Sequence, residues 1–359
     1  MRGWVGILTA LVLAAPAMGQ EQEMRPSDAL HEQDAIRPPE QIEGRSNAAL
    51  EYFRIWDTLT RAERTKLGEL AADVGGPDDK QLDKEARKLI SERRDYIDAL
   101  IRAANSQDCV WGVRYEAGWM ALLPHLGFLR GSCRVIRLDA FRCMADREYN
   151  AAAERVVAIL HMSEQTRSDG ILISTLVGAA ICEVGLVVTE EMIKRGELNP
   201  ARARMILAAE KAVKRDDLFG ISESLANEKA MSVDWPKQHY RGEHAGWTMM
   251  REFGLSGLHS ELGHSFVVGM NEQQMGADLD RFARYFDAVS AVWRKPDKSV
   301  LLDELSTEVM EGQYGVIAMT MAPSMERVGK SIDKTRADLE RVAGELEGIV
   351  HSEDGGAGK

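Results

Sequence analysis

Histidine is the residue type best able to do chemistry in this 359-residue chain, and half of its eight histidines fall within residues 239–264. Two glutamates accompany them, which gives the set His239, Glu243, His244, His259, Glu261 and His264. Imidazole and carboxylate groups are ligands for zinc and similar ions. The histidines of each pair are five residues apart, whereas two ligands on one helical face need a spacing of three or four. The segment also lacks the HExxH pattern of zinc proteases. We therefore predict no metal residues and keep a metal-dependent envelope hydrolase using this segment as the alternative function.

The same part of the chain mixes aromatic and polar side chains. Apolar residues do not recur at the helical interval through residues 234–276, which indicates a long loop or an insertion of short helices. Aromatic side chains exposed on such a segment can anchor a sugar, a peptide or a partner protein. The alternative is that the tryptophans only fix the segment to the helical body. The predicted binding residues are Trp235, His239, Tyr240, His244 and Trp247.

Shorter motifs elsewhere do not complete a catalytic set. Ser331 and Lys334 fit the Ser-x-x-Lys pattern of penicillin-binding enzymes, but the other signatures of that class are absent. Glu183 lies in the most apolar stretch after the N-terminus, where a buried carboxyl group could act as a general acid. No second carboxylate is placed near it by the sequence, so pairing with an arginine or a position on a polar seam is favoured. We predict no catalytic residue and no cofactor.

The charge balance limits the classes of partner. The formal net charge is −12, and no window of clustered lysine and arginine offsets it. An acidic protein repels phosphate backbones and anionic lipid surfaces. Nucleic acid and the membrane surface are therefore not expected as partners.

The N-terminal residues have the pattern of an export signal. Arg2 supplies the positive charge, Trp4 to Ala15 is apolar, and small residues follow up to Gly19. The apolar run is short for a membrane span of about 20 residues. We predict a signal peptide over 1–19, a disordered tether over 20–45, a helical domain over 46–350 and a disordered tail over 351–359. The processed protein is expected to be periplasmic or secreted, without stable membrane insertion.

Four cysteines would meet an oxidising compartment after export, and disulfides are allowed there. Cys133 and Cys143 lie ten residues apart in one predicted helix, which separates them by about 15 Å and prevents a bridge. Pairing of Cys109 with Cys133 and of Cys143 with Cys182 is one remaining arrangement. Four buried free thiols are an equal alternative, because free cysteine packs as a small apolar residue.

Apolar residues recur at the α-helical interval through most of the chain. We predict helices over 46–73, 78–104, 117–145 with a break at Pro124 or Gly127, 149–165, 171–189, 200–214, 217–233, 277–294, 298–311 and 324–350. Short connections favour antiparallel neighbours. The segment Met144 to Leu160 resembles one tetratricopeptide-type hairpin, although no repeat near 34 residues recurs. The predicted fold class is all-α, as an irregular antiparallel array or bundle with tetratricopeptide-like helical hairpins.

Four segments of the chain resemble a group of exported all-helical proteins of uncharacterised function from planctomycete-type bacteria. They are Cys109-Val110-Trp111-Gly112, Leu123-Pro124-His125-Leu126, the hairpin around Asp146 to Ala153, and Ile171 to Val177 before an Ala-rich continuation. The resemblance covers roughly residues 46–230. It implies an exported helical fold and carries no established activity or site residues. Together with the residue patterns, it favours a non-enzymatic scaffold that binds a protein or peptide of the cell envelope.

Overall fold

The computed structural model describes residues 39, 40, 42 and 45–352, apart from 57, 114, 116, 117, 119, 120, 122, 214–216 and 253–262. The predicted signal peptide, nearly all of the tether and residues 353–359 of the tail lie outside the described residues. The described part is helical, and its single β-bridge joins Asn47 to Asp108. The all-α prediction is confirmed, while the tetratricopeptide likeness stays an expectation.

The helices follow one another through short connections. Their bounds are α1 Ala48–Trp56, α2 Arg61–Asp73, α3 Lys84–Glu92, α4 Arg94–Ala104, α5 Pro124–Ala145, α6 Tyr149–Thr166, α7 Leu172–Lys194, α8 Pro200–Val213, α9 Ile221–Lys229, α10 Trp235–His239, α11 Ala245–Glu252, α12 Gly263–Val268, α13 Glu272–Val292, α14 Lys298–Met310, α15 Val316–Met321 and α16 Met325–His351. A π-helical segment, Ala230–Asp234, joins α9 to α10.

The core is built on α6 and α7. Helix α6 packs against α5, α7 and α8, and α16 closes the bundle over α7 and α8. The backbones of α6 and α7 approach closely at Gly178, where an added Cβ would lie 2.8 Å from the Ser163 carbonyl oxygen. By length and composition α7 could cross a membrane, but 67% of its most apolar window is buried inside the protein. Its apolar character is therefore that of a central core helix.

Two predicted long helices are wrong, because each is divided in two. The predicted helix 46–73 is interrupted before Thr60, which starts α2 with a capping box: its hydroxyl accepts from the Glu63 amide, and the Glu63 carboxylate accepts from the Thr60 amide. In the predicted helix 78–104, Asp83 caps the first turn of α3, and Arg93 leaves helical geometry before α4. A capping box therefore accounts for the division at Thr60, whereas the division at Arg93 has no side-chain cap.

The prediction of a helix from about 117, broken or kinked by Pro124 and Gly127, is wrong in its start, since the described residues 121 and 123 are not helical, and wrong at Gly127. Helix α5 begins at Pro124 and continues through Gly127 to Ala145. Proline has no amide to donate and a fixed φ, so the first turn is where a helix accepts it without loss. All four cysteines are free, so neither predicted disulfide forms. Glu183 on α7 accepts from Lys334 Nζ at 2.7 Å and Thr335 Oγ1 at 3.1 Å on α16, so its cationic partner is a lysine and not the predicted arginine.

Candidate functional site

The predicted aromatic residues begin at a break in helical geometry. The residues from Ile221 to His239 form one helical run, and its π-helical part ends where the Trp235 amide donates to the Ala230 carbonyl, five residues back. The next residue, Pro236, has no amide to donate, so the α-helical bond to residue 232 cannot form. A π-helical segment redirects the side chains that follow it, and such segments are frequent at functional sites.

Trp235 and His239 stack on each other just after this break. They are one turn apart on α10, with ring centroids 4.3 Å apart and an interplanar angle of 16°. Tyr240 stands nearly perpendicular to both rings, at centroid distances of 5.7 and 4.9 Å. The backbone of Gly118 lies against the indole, because a Cβ built there would be 2.1 Å from Trp235 Cδ2. The structure thus brings three of the five predicted binding residues into one aromatic cluster.

Glu252, at the end of α11, joins this cluster, although the sequence did not single it out. The buried Tyr240 donates its hydroxyl to Glu252 Oε2 at 2.9 Å, and His239 Nε2 lies 3.6 Å from the same oxygen. Burial and the neighbouring carboxylate raise the pKa of Tyr240 well above its usual value, so the phenol stays a donor at neutral pH. Glu252 follows Tyr240 by 12 residues in a segment without clear periodicity, which is why only the tertiary structure reveals the contact.

The other two predicted binding residues lie on α11 or just before it, outside the stack. His244 is exposed, and its carbonyl oxygen accepts from Thr248. Trp247 is 45% exposed, and the Arg251 guanidinium carbon lies 4.6 Å from its ring centroid. A cation over an indole face adds about 0.5–1 kcal/mol at an exposed site. Trp247 is therefore restrained by a contact with a cation while 45% of its surface stays exposed to solvent.

Helices α11 and α12 touch at their backbones beside Trp247. The Gly246 amide donates to the Met270 carbonyl at 3.0 Å, and a Cβ built on Gly246 would lie 1.8 Å from the Val267 carbonyl oxygen. Only glycine permits this approach. Phe266, next to Val267, is 63% exposed. Trp247 and Phe266, both exposed, are therefore next in sequence to Gly246 and Val267, the two residues that make this close contact.

The histidine-rich segment gives no metal centre within the described residues. No group of three or more histidine, cysteine, aspartate or glutamate side chains in that part of the chain is arranged to hold an ion. His239 has one carboxylate near it, that of Glu252, and His244 does not join them. His259 and the side chain of His264 lie outside the description, so the metal-dependent alternative stays a prediction.

A second cluster of functional groups is buried around Asp169, where α6 ends and α7 begins. His125 Nε2 lies 3.0 Å from Asp169 Oδ2, and Ser174 donates its hydroxyl to the same oxygen at 2.5 Å. The Ile171 amide donates to Oδ1 at 3.0 Å. Trp111 stacks on the imidazole with centroids 4.4 Å apart. Three of the four segments that carry the family resemblance thus meet at this one carboxylate.

The Asp169 cluster contains serine, histidine and aspartate but is not arranged as a nucleophile and its base. The serine hydroxyl donates to the carboxylate and not to imidazole, whereas nucleophilic catalysis needs a serine that hydrogen-bonds to the base. His125, Asp169 and Ser174 are also buried. The arrangement satisfies polar groups at a helix junction, which is a structural role.

A shallow cleft lies beside the Asp169 cluster and the π-helical segment. It is lined by Tyr115, Asn227, Ala230 and Met231. The Tyr115 hydroxyl donates to the Asp169 carbonyl, and the Asn227 amide donates to the Gly170 carbonyl at 3.0 Å. The polar donors at the cleft wall are therefore already used within the protein.

Glu228, which follows Asn227 in the sequence, is a titratable group beside this cleft. Its half-buried carboxylate accepts from the Leu172 amide in the first turn of α7. Burial nevertheless raises its pKa to about 7, and the hydrogen bond only partly opposes this. Its charge therefore changes near neutral pH.

Comparisons with protein-family models, curated proteins and solved structures find no match to this chain.

Proposed function

We propose that this protein is an exported, non-enzymatic helical scaffold that binds a protein or peptide of the cell envelope. The partner is held at an aromatic surface, defined as Trp235, His239, Trp247, Arg251 and Phe266. Scattered exposed apolar residues are normal on proteins. Here they are aromatic, lie on adjacent short helices and are accompanied by arginine, and tryptophan and arginine are enriched among the residues that dominate binding energy.

The observation that carries the proposal is that Trp247 is exposed to solvent and also restrained by its neighbours. Its indole is 45% exposed, yet the cation of Arg251 and the tight backbone contact at Gly246 fix its position. A side chain that is already ordered loses little conformational entropy on binding, which leaves more of the contact energy as affinity. Export is supported by the pattern of residues 1–19, and the absence of catalysis by the saturated hydrogen bonding of the Asp169 cluster.

Site-specific photo-crosslinking in the producing cell tests this proposal. A photoreactive benzoylphenylalanine replaces His244, which is exposed just before α11, in one variant and Val300 in the other; Val300 is 62% exposed on α14, a helix that carries no residue of the aromatic surface. We expect one defined envelope protein to be crosslinked from position 244 and not from 300. Replacing Phe266 by serine in the first variant should reduce its yield several-fold.

Three outcomes would overturn the proposal. Identical products from both positions would mean that exposure alone captures neighbours, and the absence of any product from position 244 would mean that no partner is held beside α11. Stoichiometric transition metal in the purified full-length protein, lost on replacing His239 and His244 together, would favour the metal-dependent hydrolase.

A further inference from the structure

The cleft beside the π-helical segment offers hydrogen-bond acceptors, while the side-chain donors at its wall are used inside the protein. It has a volume of about 120 Å³ and is lined by Tyr115, Asn227, Ala230 and Met231. The Tyr115 hydroxyl and the Asn227 amide nitrogen both donate to backbone carbonyls next to the Asp169 cluster. None of these residues belongs to the aromatic surface, so the cleft is a separate feature and does not depend on the proposed function.

Glu223 adds a carboxylate to this cleft. It lies one turn before Asn227 on α9, and residues four apart on a helix share a face. Both side chains reach Gly170, since a Cβ built there would lie 2.7 Å from Asn227 Nδ2 and 3.6 Å from Glu223 Oε1. Burial raises the pKa of Tyr115 to about 12, and the charges of Asp169 and Glu223 add to this rise. The Glu223 carboxylate therefore lies near both polar residues of the cleft wall.

The acceptors of the cleft are available to a ligand. Glu223 is exposed, and its carboxylate makes no hydrogen bond or ion pair with any residue that the structure describes. Within the same part of the chain, Asn227 uses its amide nitrogen, and its Oδ1 accepts no hydrogen bond. Tyr115 is 40% exposed. Glu183 on α7 differs, because its charge is neutralised by Lys334.

A cleft that offers only acceptors selects a ligand that only donates. Ammonium and guanidinium groups are donors without an acceptor, and the face of a tyrosine ring attracts a cation. The three donors of an ammonium point in different directions and can meet separate acceptors, whereas a guanidinium favours bidentate pairing with one carboxylate. Ala230 and Met231 supply apolar contacts for an alkyl chain, and methionine adapts to the shape of such a chain.

We propose that this cleft binds the ammonium group of an alkylamine. The Glu223 carboxylate balances the charge of the ammonium, Asn227 Oδ1 accepts a second of its hydrogen bonds, and the Tyr115 ring contacts the cation. The alkyl chain lies on Ala230 and Met231. The net charge of −12 adds a general attraction for cations, and the cleft gives that attraction one defined position.

The test uses the full-length protein and two probes with the same alkyl chain, pentylamine and its neutral analogue pentanol. Saturation-transfer NMR measures the binding of each probe during a titration. We expect saturable binding of pentylamine alone. Glu223→Gln removes the charge and should weaken binding at least tenfold. Ala230→Leu fills the cleft without changing any charge and should weaken binding to a similar extent.

Matched controls distinguish this site from general attraction of cations. Glu304→Gln removes an exposed carboxylate on α14, and Ala291→Leu enlarges an exposed alanine on α13. Both should leave the affinity unchanged, and circular dichroism should show the same helix content in all variants. Equal binding of pentanol, unchanged affinity in Glu223→Gln, or the same loss of affinity in Glu304→Gln would each overturn the proposal.

A third probe identifies the source of the ammonium group. Nα-acetyl-lysine N-methylamide carries an ammonium on an alkyl chain between two peptide groups. Tighter binding of this probe than of pentylamine supports the site as one for a lysine side chain of a polypeptide. Tighter binding of pentylamine supports it as a site for a free amine. Failure of both amines to bind would overturn the proposal and leave the function proposed for the aromatic surface untouched.

Discussion

The central bundle and the aromatic surface use polar and aromatic residues in opposite ways. In the bundle, Asp139 is fully buried and accepts from Arg94 Nη1, Arg142 Nε and Arg155 Nε at 3.1, 2.8 and 2.9 Å. Burial acts to raise the pKa of this aspartate, but the arginines outweigh it and the pKa is lowered. At the aromatic surface, Trp247 and Phe266 remain open to solvent. Polar side chains in the bundle are thus hydrogen-bonded to one another and hold helices together. On the short helices, two aromatic side chains stay exposed and can contact a partner.

The largest expected effect tests the bundle side of this comparison. Asp139→Asn leaves three arginines around a neutral amide, and breaking a buried ion pair costs about 3–5 kcal/mol. We expect the free energy of unfolding, measured by urea denaturation, to fall by about that amount. Asp303→Asn, at an exposed position on α14, should change it by less than about 0.5 kcal/mol. Equal stability of the two variants would mean that the Asp139 network does not hold the bundle.

The next effect tests whether the aromatic surface is rigid. Gly246→Ala places a methyl group against the Val267 carbonyl, and overpacking of this kind costs about 1–3 kcal/mol. We expect hydrogen exchange to accelerate in α11 and α12 while α6 and α7 stay protected. Gly276→Ala on α13, where the added Cβ meets no atom within 4 Å, is the control and should be neutral or slightly stabilising. Unchanged exchange in Gly246→Ala would show that Trp247 is not held by this contact.

Glu228 lies between the two regions and gives a smaller, pH-dependent effect. Its pKa is raised from 4.5 to about 7, so between these values the folded protein holds a proton that the unfolded chain releases. The free energy of unfolding should therefore fall as pH rises from about 4.5 to 7, then level off, by about 1–2 kcal/mol for this half-buried group. Glu228→Gln should remove this dependence and be the more stable protein at pH 8. Glu223→Gln, one turn away and exposed, should retain the wild-type slope.

The sequence predicted the helices of the core better than their ends, for a physical reason. The predicted helices 298–311 and 324–350 agree with α14 and α16 within one residue, because apolar periodicity reports which face is buried. The division between α1 and α2 depends instead on Thr60 and Glu63, whose Thr-x-x-Glu spacing is that of a capping box. Periodicity alone does not detect such a stop.

The aromatic residue types of the candidate site could be predicted from the sequence, but the contacts between its side chains could not. Trp235, His239 and Tyr240 do cluster, as adjacent residues on a short helix can. Glu252 reaches them through a turn and a second helix. Which polar residue meets which is set by tertiary packing, and no local spacing encodes the Tyr240–Glu252 contact.

The smallest expected change in stability is the sharpest test of the comparison. Trp247→Ala removes a side chain that is 45% exposed together with its contact to Arg251, so the free energy of unfolding should fall by only about 1 kcal/mol. Its partner, by contrast, should be retained at least tenfold less well in co-purification, because truncating a binding hot spot costs 2 kcal/mol or more. Met310→Ala, at a residue 52% exposed on α14, should alter neither quantity. If Trp247→Ala instead lowers the free energy of unfolding by several kcal/mol, the indole mainly packs against the protein. The aromatic surface would then serve the fold in the same way as the bundle does.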